Sequence, residues 1–392
     1  MAQPQSVSRF GTDLLRVLAS CYIVFNHVSW PVFMQMGTSQ EGYYPWVTAL
    51  ANQFGKPSVL FFIFLSGFAF SGLAGERYLS TGRFYINRVA RILPPFLLVT
   101  LLAFVLRHGH VDPVAILSSL PLGTGMFHLY FVPLICYLYL LFPLLRKIPP
   151  TVRNVTLVFS LALIAYLLLQ WTLRIDANAT ISTLCGTART VCDFARVESG
   201  DVRSGLFTWA RYFIFALPFF QAGIWLGRPE SRATLDRLRM KYPRRKLILF
   251  VLPLTLLAYA GVVTGFLQNV RGGADADSSG IIWRVSVSLY ALACILTVSL
   301  LLRRGYDPVL SWLARCSFLV YLIHPFFIPL FRPWYPLHAV WPILALSWAT
   351  AAVLQWIALR SKAIGFFLGE GDRLFAPLAG TPRTQTPPSN IP

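Results

Sequence analysis

Acidic side chains are scarce in this chain: 15 Asp and Glu stand against 34 Lys and Arg in 392 residues, and charge of either sign makes up only 12%. Soluble domains devote about 25% of their residues to charge, so no stretch here has the polar surface that a water-facing fold requires. Cysteine and histidine are sparse too, at six each. No HExxH, no paired Cys and His spacing, no Walker loop and no GxGxxG following a strand occurs. Metal chemistry and nucleotide-binding folds therefore have no sequence support. There is no repeat of fixed period. The first apolar run is long and has no small-residue cleavage site, which argues against a cleavable signal peptide.

Apolar residues are what the chain has in abundance. They make up 56% of it, with a mean hydropathy of +0.60, above the roughly 45 to 50% of soluble proteins. Apolar runs fall at about 12–32, 57–75, 92–107, 128–145, 154–173, 206–226, 247–267, 282–302, 309–331 and 338–359. The pattern predicts an all-α protein, a polytopic transmembrane helical bundle of about ten spans (ten to eleven) with no soluble domain. The third run is short and begins at Pro94 and Pro95, which suits a tilted or re-entrant segment. Residues 1–361 read as one membrane domain and 362–392 as a cytoplasmic tail, whose end, APLAGTPRTQTPPSNIP, reads as disordered.

The net charge of +19 is spread over short loops rather than gathered in one patch, so it does not point to nucleic acid. With the N-terminus inside, 22 of the 34 Lys and Arg fall in alternate segments on one side. Positive-inside bias then places both termini in the cytoplasm of a bacterial inner membrane. The most basic segment, 227–246, suits orientation by charge and contact with anionic headgroups of the lipid bilayer. Trp30, Tyr43, Tyr44 and Trp46 at the opposite side read first as an interfacial belt and second as platforms for a sugar ring.

Within the first run, DLLRVLASCYIVFNHV, Arg16 and His27 are separated by eleven residues. On a helix that spacing returns the two side chains to within roughly 20° of one face, about 16 Å apart along the axis. Arg9 and Asp13 fall near the same face, so a polar stripe runs from the N-terminal edge into the apolar middle. Ionisable groups inside a membrane are costly and face a protein interior or a wet cavity. The blander reading is that Arg9, Asp13 and Arg16 snorkel while His27 bonds a neighbouring helix.

After the second run, Arg88 and Arg91 lie one helical turn apart, with Arg77 and Arg83 nearby. Forked guanidinium donors at a helix start suit a phosphate group, and anchoring by positive charge explains them equally well. Ser66, Gly67, Ser71 and Gly72 supply small residues for close helix packing. His128 and His324 head the two remaining conspicuous motifs, HLYFVPLICYLYLLFPLL and SFLVYLIHPFFI. Each is either a structural, hydrogen-bonded histidine or a catalytic one. His108 and His110 read as surface residues. Cys185 and Cys192 lie in a polar loop that the charge bias puts outside, where a disulfide can form and order the loop.

Arg16-x10-His27, LFFIFLSGF, Arg88-x2-Arg91 before Leu93-Pro94-Pro95, HLYFVPLICYLYLLFPLL and SFLVYLIHP, in this order, resemble the acyltransferase-3 family of integral membrane O-acyltransferases. The resemblance spans roughly residues 9–360. It departs in having Tyr130 where many members carry Trp, and in lacking the hydrolase domain that some relatives append. The resemblance implies acetyl-CoA or another acyl-CoA as donor, His27 as the catalytic group, and Arg16, Arg88 and Arg91 as essential partners; with the metal motifs absent, no metal is expected. Members of the family modify glycans or, in some cases, macrolides and other small molecules; a glycan or lipid-linked glycan is the acceptor expected here, and His128 and His324 are candidates for its side of the site.

Acyl transfer to a hydroxyl needs a base, and His27 is the one side chain on the stripe suited to that near neutral pH. Asp13 is about 21 Å from His27 along the helix, too far to orient it. Asn26 or a residue of another helix is left for that role. Two other functions fit the same sequence: O-acylation of a macrolide or other secreted small molecule, and a transporter or polysaccharide-export component using the stripe as its path. The absence of matching broken repeats speaks against the last.

The outside loop yields a test. Cys185 and Cys192 should resist a membrane-impermeant thiol reagent on intact cells until reduced, and label after reduction. Immediate labelling would exclude the bridge, and labelling only from the cytoplasmic face would overturn the orientation.

Overall fold

The computed structural model describes residues 9–35, 43–71, 81–184, 202–271, 284–301 and 305–370. These residues form helices joined by turns and loops. In chain order they are α1 (Arg9–Gln35), α2 (Tyr43–Gly55), α3 (Ser58–Ser71), α4 (Thr81–His108), α5 (Pro113–Ser119), α6 (Phe131–Leu145) and α7 (Val152–Leu184). There follow α8 (Val202–Leu226), α9 (Pro229–Lys241), α10 (Arg244–Arg271), α11 (Val285–Leu301), α12 (Pro308–Ile323), α13 (Pro336–Arg360) and α14 (Lys362–Phe367). Single 3₁₀ turns, His324–Phe326 and Ile328–Phe331, link α12 to α13.

A helix covers most or all of each apolar run. Five helical stretches are long and apolar enough to cross a membrane: Trp46–Ser71, Thr81–His108, Arg244–Gln268, Pro308–Phe326 and Pro336–Arg360. Four more, Phe131–Leu145, Val152–Leu168, Tyr212–Leu226 and Val285–Leu301, are apolar but shorter. The chain is thus a helical membrane protein. α1 is long enough at 27 residues, but Arg16, Asn26 and His27 dilute its apolar content. The expected short third span is corrected: α4 is one 28-residue helix that contains Pro94 and Pro95. At 1.5 Å per residue it reaches about 42 Å, more than the roughly 30 Å hydrocarbon core.

Helix starts follow local chemistry. Asp112 and Asp307 each precede a proline at the first helical position and accept from backbone N–H groups, at 3.0 and 3.1 Å for Asp112 and 2.8 Å for Asp307.

In a bilayer, apolar contact between helices gains little over contact with lipid, so association depends on close fit and on polar contacts. α3 and α8 achieve the fit through small residues on both surfaces. A side chain at Gly67 would collide with the Phe220 carbonyl, one at Gly223 with the Phe64 carbonyl, and one at Gly227 with Ser71. Around this seam Phe70 meets Phe84, Tyr139, Phe142 and Phe220 with ring centroids 4.7 to 6.2 Å apart. α10 and α11 share a hydroxyl pair, Thr255 to Thr297 at 2.8 Å. α1 packs against α2, α3, α12 and α13, so its polar stripe is enclosed by protein.

Gly67→Val and Gly223→Val should each destabilise the protein by about 1 to 3 kcal/mol or more. Gly82→Ala, with nothing within 4 Å of the added carbon, should be neutral or slightly stabilising. Thermal unfolding in detergent measures both, and equal tolerance at Gly67 and Gly82 would refute the close-packed seam.

Candidate active site

The site grows from a helix that cannot continue. α12 ends at Ile323, and Pro325 follows His324. The carbonyl of Tyr321 would ordinarily accept from the N–H four residues on, but that residue is the proline, which has none. His324 fills the gap with its own ring: Nδ1 lies 2.8 Å from the Tyr321 carbonyl and 3.2 Å from that of Val320. Carbonyls only accept, so Nδ1 carries the hydrogen and the neutral ring turns the lone pair of Nε2 outward.

That lone pair meets His27. His27 Nδ1 is 2.7 Å from His324 Nε2, and the rings are nearly parallel at 9° with centroids 5.0 Å apart. His27 Nδ1–H donates, which fixes the tautomer and leaves the lone pair on His27 Nε2. The group that orients His27 is therefore on another helix. Asn26 faces elsewhere, donating from Nδ2 to the Gly55 carbonyl at 3.0 Å.

His128 completes a triangle, its ring centroid 6.4 Å from that of His27 and 5.4 Å from that of His324. Its Nε2 faces the Leu322 carbonyl at 3.3 Å, and the Tyr321 hydroxyl donates to the His128 carbonyl. The remaining nitrogen, Nδ1, is buried and has no hydrogen-bond partner among the described residues. An orphaned buried lone pair is a common mark of a functional site. Phe127 stands edge-on to His27 at 4.8 Å and limits where that ring can turn. On another side, Lys56 lies within electrostatic range of the His27 ring. Lys56 sits in the α2–α3 turn at 3% exposure, beside Gln53, which accepts from Arg284 at 2.8 Å.

The arginines form a second feature. Arg16, Arg88 and Arg91 line one cavity of about 300 Å³ together with Arg315, Ser66, Tyr139, Tyr321, Gln355 and Glu370. That volume is at the lower end for small-molecule sites. Arg88 is held over two aromatic faces, 5.1 Å from the Phe70 centroid and 5.9 Å from that of Phe84, which offsets part of the cost of taking a guanidinium from water. Tyr139 hydrogen-bonds Ser66 and lies within electrostatic reach of Arg16, Arg88 and Arg91. Asp13 acts on Arg16, as the stripe suggests.

Tyr321 joins the two features, because its ring lines the cavity while its hydroxyl holds His128. The arrangement combines a lone pair on a tautomer-locked imidazole with a cationic cavity on the same side of α1. It can remove a proton from a hydroxyl and hold an anionic group at once.

A profile of the acyltransferase-3 family, described as an acyltransferase domain, matches residues 10–359. The chain belongs to that family. No curated protein and no solved structure matches it significantly. The match spans nearly all of the chain and makes it an acyltransferase, with the membrane helices described above.

Of the residues singled out in the sequence, the structure brings His27, His128 and His324 together, and it places Arg16, Arg88 and Arg91 around one cavity. His108 and His110 are exposed. Trp46 is 40% exposed. Arg77, Cys185 and Cys192 lie outside the described residues, as do the side chains of Arg9 and Trp30. No group of three or more His, Cys, Asp or Glu among the described residues could hold a metal. Sequence reasoning missed Tyr321, Arg315, Tyr139, Gln355 and Glu370. Only Tyr321 left a signal, standing three residues before a histidine that precedes proline.

Replacing His324 by Ala should lower turnover about 10² to 10³-fold with little change in KM, since it removes the acceptor that fixes the His27 tautomer. His324→Gln, whose amide oxygen can accept the same hydrogen bond, should recover part of the loss. Equal activity of His324→Ala and wild type would remove the pair from the chemistry.

Proposed function

We propose that this acyltransferase moves an acetyl or other short acyl group from cytoplasmic acyl-CoA to a hydroxyl of a cell-surface or exported glycan. The observation that carries the reading is the His27–His324 hydrogen bond. It leaves a lone pair on His27 Nε2 in a buried cluster that shares Tyr321 with the arginine cavity.

In this reading the phosphates of the donor bind Arg88 and Arg91, and the extended pantetheine arm runs along the stripe past Arg16 toward the histidines. The acceptor enters from the opposite side of the membrane. His27 Nε2 takes the hydroxyl proton as the oxygen attacks the thioester carbonyl. The new C–O bond forms, the C–S bond breaks, and the same nitrogen returns the proton to the departing sulfur. His324 acts as a positioning residue through the tautomer it imposes. The lone pair on His128 Nδ1 can accept from another donor group of the acceptor, which supports an acceptor-side role for His128. Charge bias supports about ten spans in a bacterial inner membrane with both termini cytoplasmic.

His27→Ala should abolish acylation, while insertion and abundance stay normal because a base rather than a packing group is removed. Near wild-type product acetylation in that variant would exclude His27 as the base. Arg88→Lys and Arg91→Lys should raise the KM for acyl-CoA about tenfold, since an ammonium keeps the charge but loses the fork. Inverted vesicles should consume added acyl-CoA and right-side-out vesicles should not. Consumption by right-side-out vesicles alone would put the donor site outside.

A further inference from the structure

The arginine cavity already contains an acid, and it comes from the far end of the described chain. α13 stops at Arg360, Ser361 caps α14 by accepting from the Ile364 amide at 3.3 Å, and α14 packs against α4, which carries Arg88 and Arg91. The chain then turns at Gly369, whose φ of +91° favours glycine. A side chain there would stand 3.3 Å from the Arg91 carbonyl. The Glu370 amide donates to the Gly365 carbonyl at 2.8 Å. Its carboxylate Oε1 accepts from Nε2 of Gln355 at 2.6 Å, and Gln355 itself is only 2% exposed. The turn is thus built to hold the Glu370 side chain among the residues that line the cavity.

We propose that Glu370 is an internal occupant of the anion subsite formed with Arg88, Arg91 and Arg315, and that a phosphate of the incoming donor displaces it. The proposal rests on the reading that the donor carries phosphates. Arginines gathered in one cavity repel one another when no anion is bound, and Arg16 and Arg91 are close enough to do so. A carboxylate lining the same space offsets that repulsion, since it carries negative charge and oxygen acceptors as a phosphate does. A phosphate dianion carries more charge and more acceptor oxygens, so it can take the carboxylate's place. Gln355 holds one carboxylate oxygen by a neutral amide donor. Arg315, which no sequence motif indicated, becomes a further donor-binding residue.

The test is the affinity of the purified full-length protein for CoA and, in parallel, for inorganic pyrophosphate at low salt. Glu370→Gln should bind both at least fivefold more tightly than wild type, and Glu370→Asp, with its shorter carboxylate, should fall between. Glu230→Gln, on the exposed helix α9, should leave both affinities unchanged. Melting temperature reports whether each variant is folded, and Glu370→Asp carries the test if Glu370→Gln is not. Unchanged or weaker affinity for both probes in folded variants would overturn the proposal, as would equal tightening by Glu230→Gln. Tighter pyrophosphate binding with no CoA binding in any variant would support the internal occupant and overturn the CoA reading instead.

Discussion

A polar group within a bilayer must find its partner in protein, and this constraint organises the molecule around α1. Lipid offers no partner to Arg16, Asn26, His27 or Ser29, so the helices packed on α1 supply part of what these groups need. Asn52 of α2 donates to the Ser29 hydroxyl at 2.6 Å, the Gly55 carbonyl takes the Asn26 amide, and His324 takes His27. A polar column accordingly runs along α1 between apolar core clusters of aromatic and aliphatic side chains. The site is the part of that column where the histidine cluster adjoins a cavity lined by guanidinium groups, with Tyr321 shared between the two.

The same constraint explains why a defect in secondary structure becomes a functional device. Pro325 leaves a helix carbonyl without its usual donor in a place where water is scarce. His324 answers with Nδ1–H, and that single bond passes to His27 as a fixed tautomer. A chain of two hydrogen bonds thus converts a backbone deficit at the end of α12 into a lone pair on α1. The close seam of α3 and α8 serves the same end from behind, because it fixes α3, whose Phe62, Ser66 and Phe70 form one wall of the cavity.

Charge is handled differently at the cavity than in the histidine cluster. Arg88 is set over the rings of Phe70 and Phe84. Tyr139 lies beside the arginines, and Glu370 lines the same space. The cationic field is held together by aromatic faces, a phenol and one carboxylate.

Much of this was legible in the residues alone. Apolar runs of near twenty residues dictate helices in a membrane, because no other open structure satisfies its own backbone there. The eleven-residue spacing dictates that Arg16 and His27 share a face, because helical period is local. The span from Pro94 was misjudged for an equally local reason: prolines were read as a boundary, whereas α4 accommodates both within a continuous helix. The fold alone decided which distant residues meet. His27 and His324 are 297 positions apart, and no short-range pattern encodes a 2.7 Å contact between them. Arg315 stands in no motif and Glu370 falls in the tail, and only packing sets them in one cavity. The sequence by itself determined the helices, their membrane setting and the polar face of α1, since these follow from composition and from the 3.6-residue period. Tertiary structure alone decided the tautomer of His27, the triangle of histidines and the acid among the arginines, since each depends on side chains distant in the chain that only helix packing brings together.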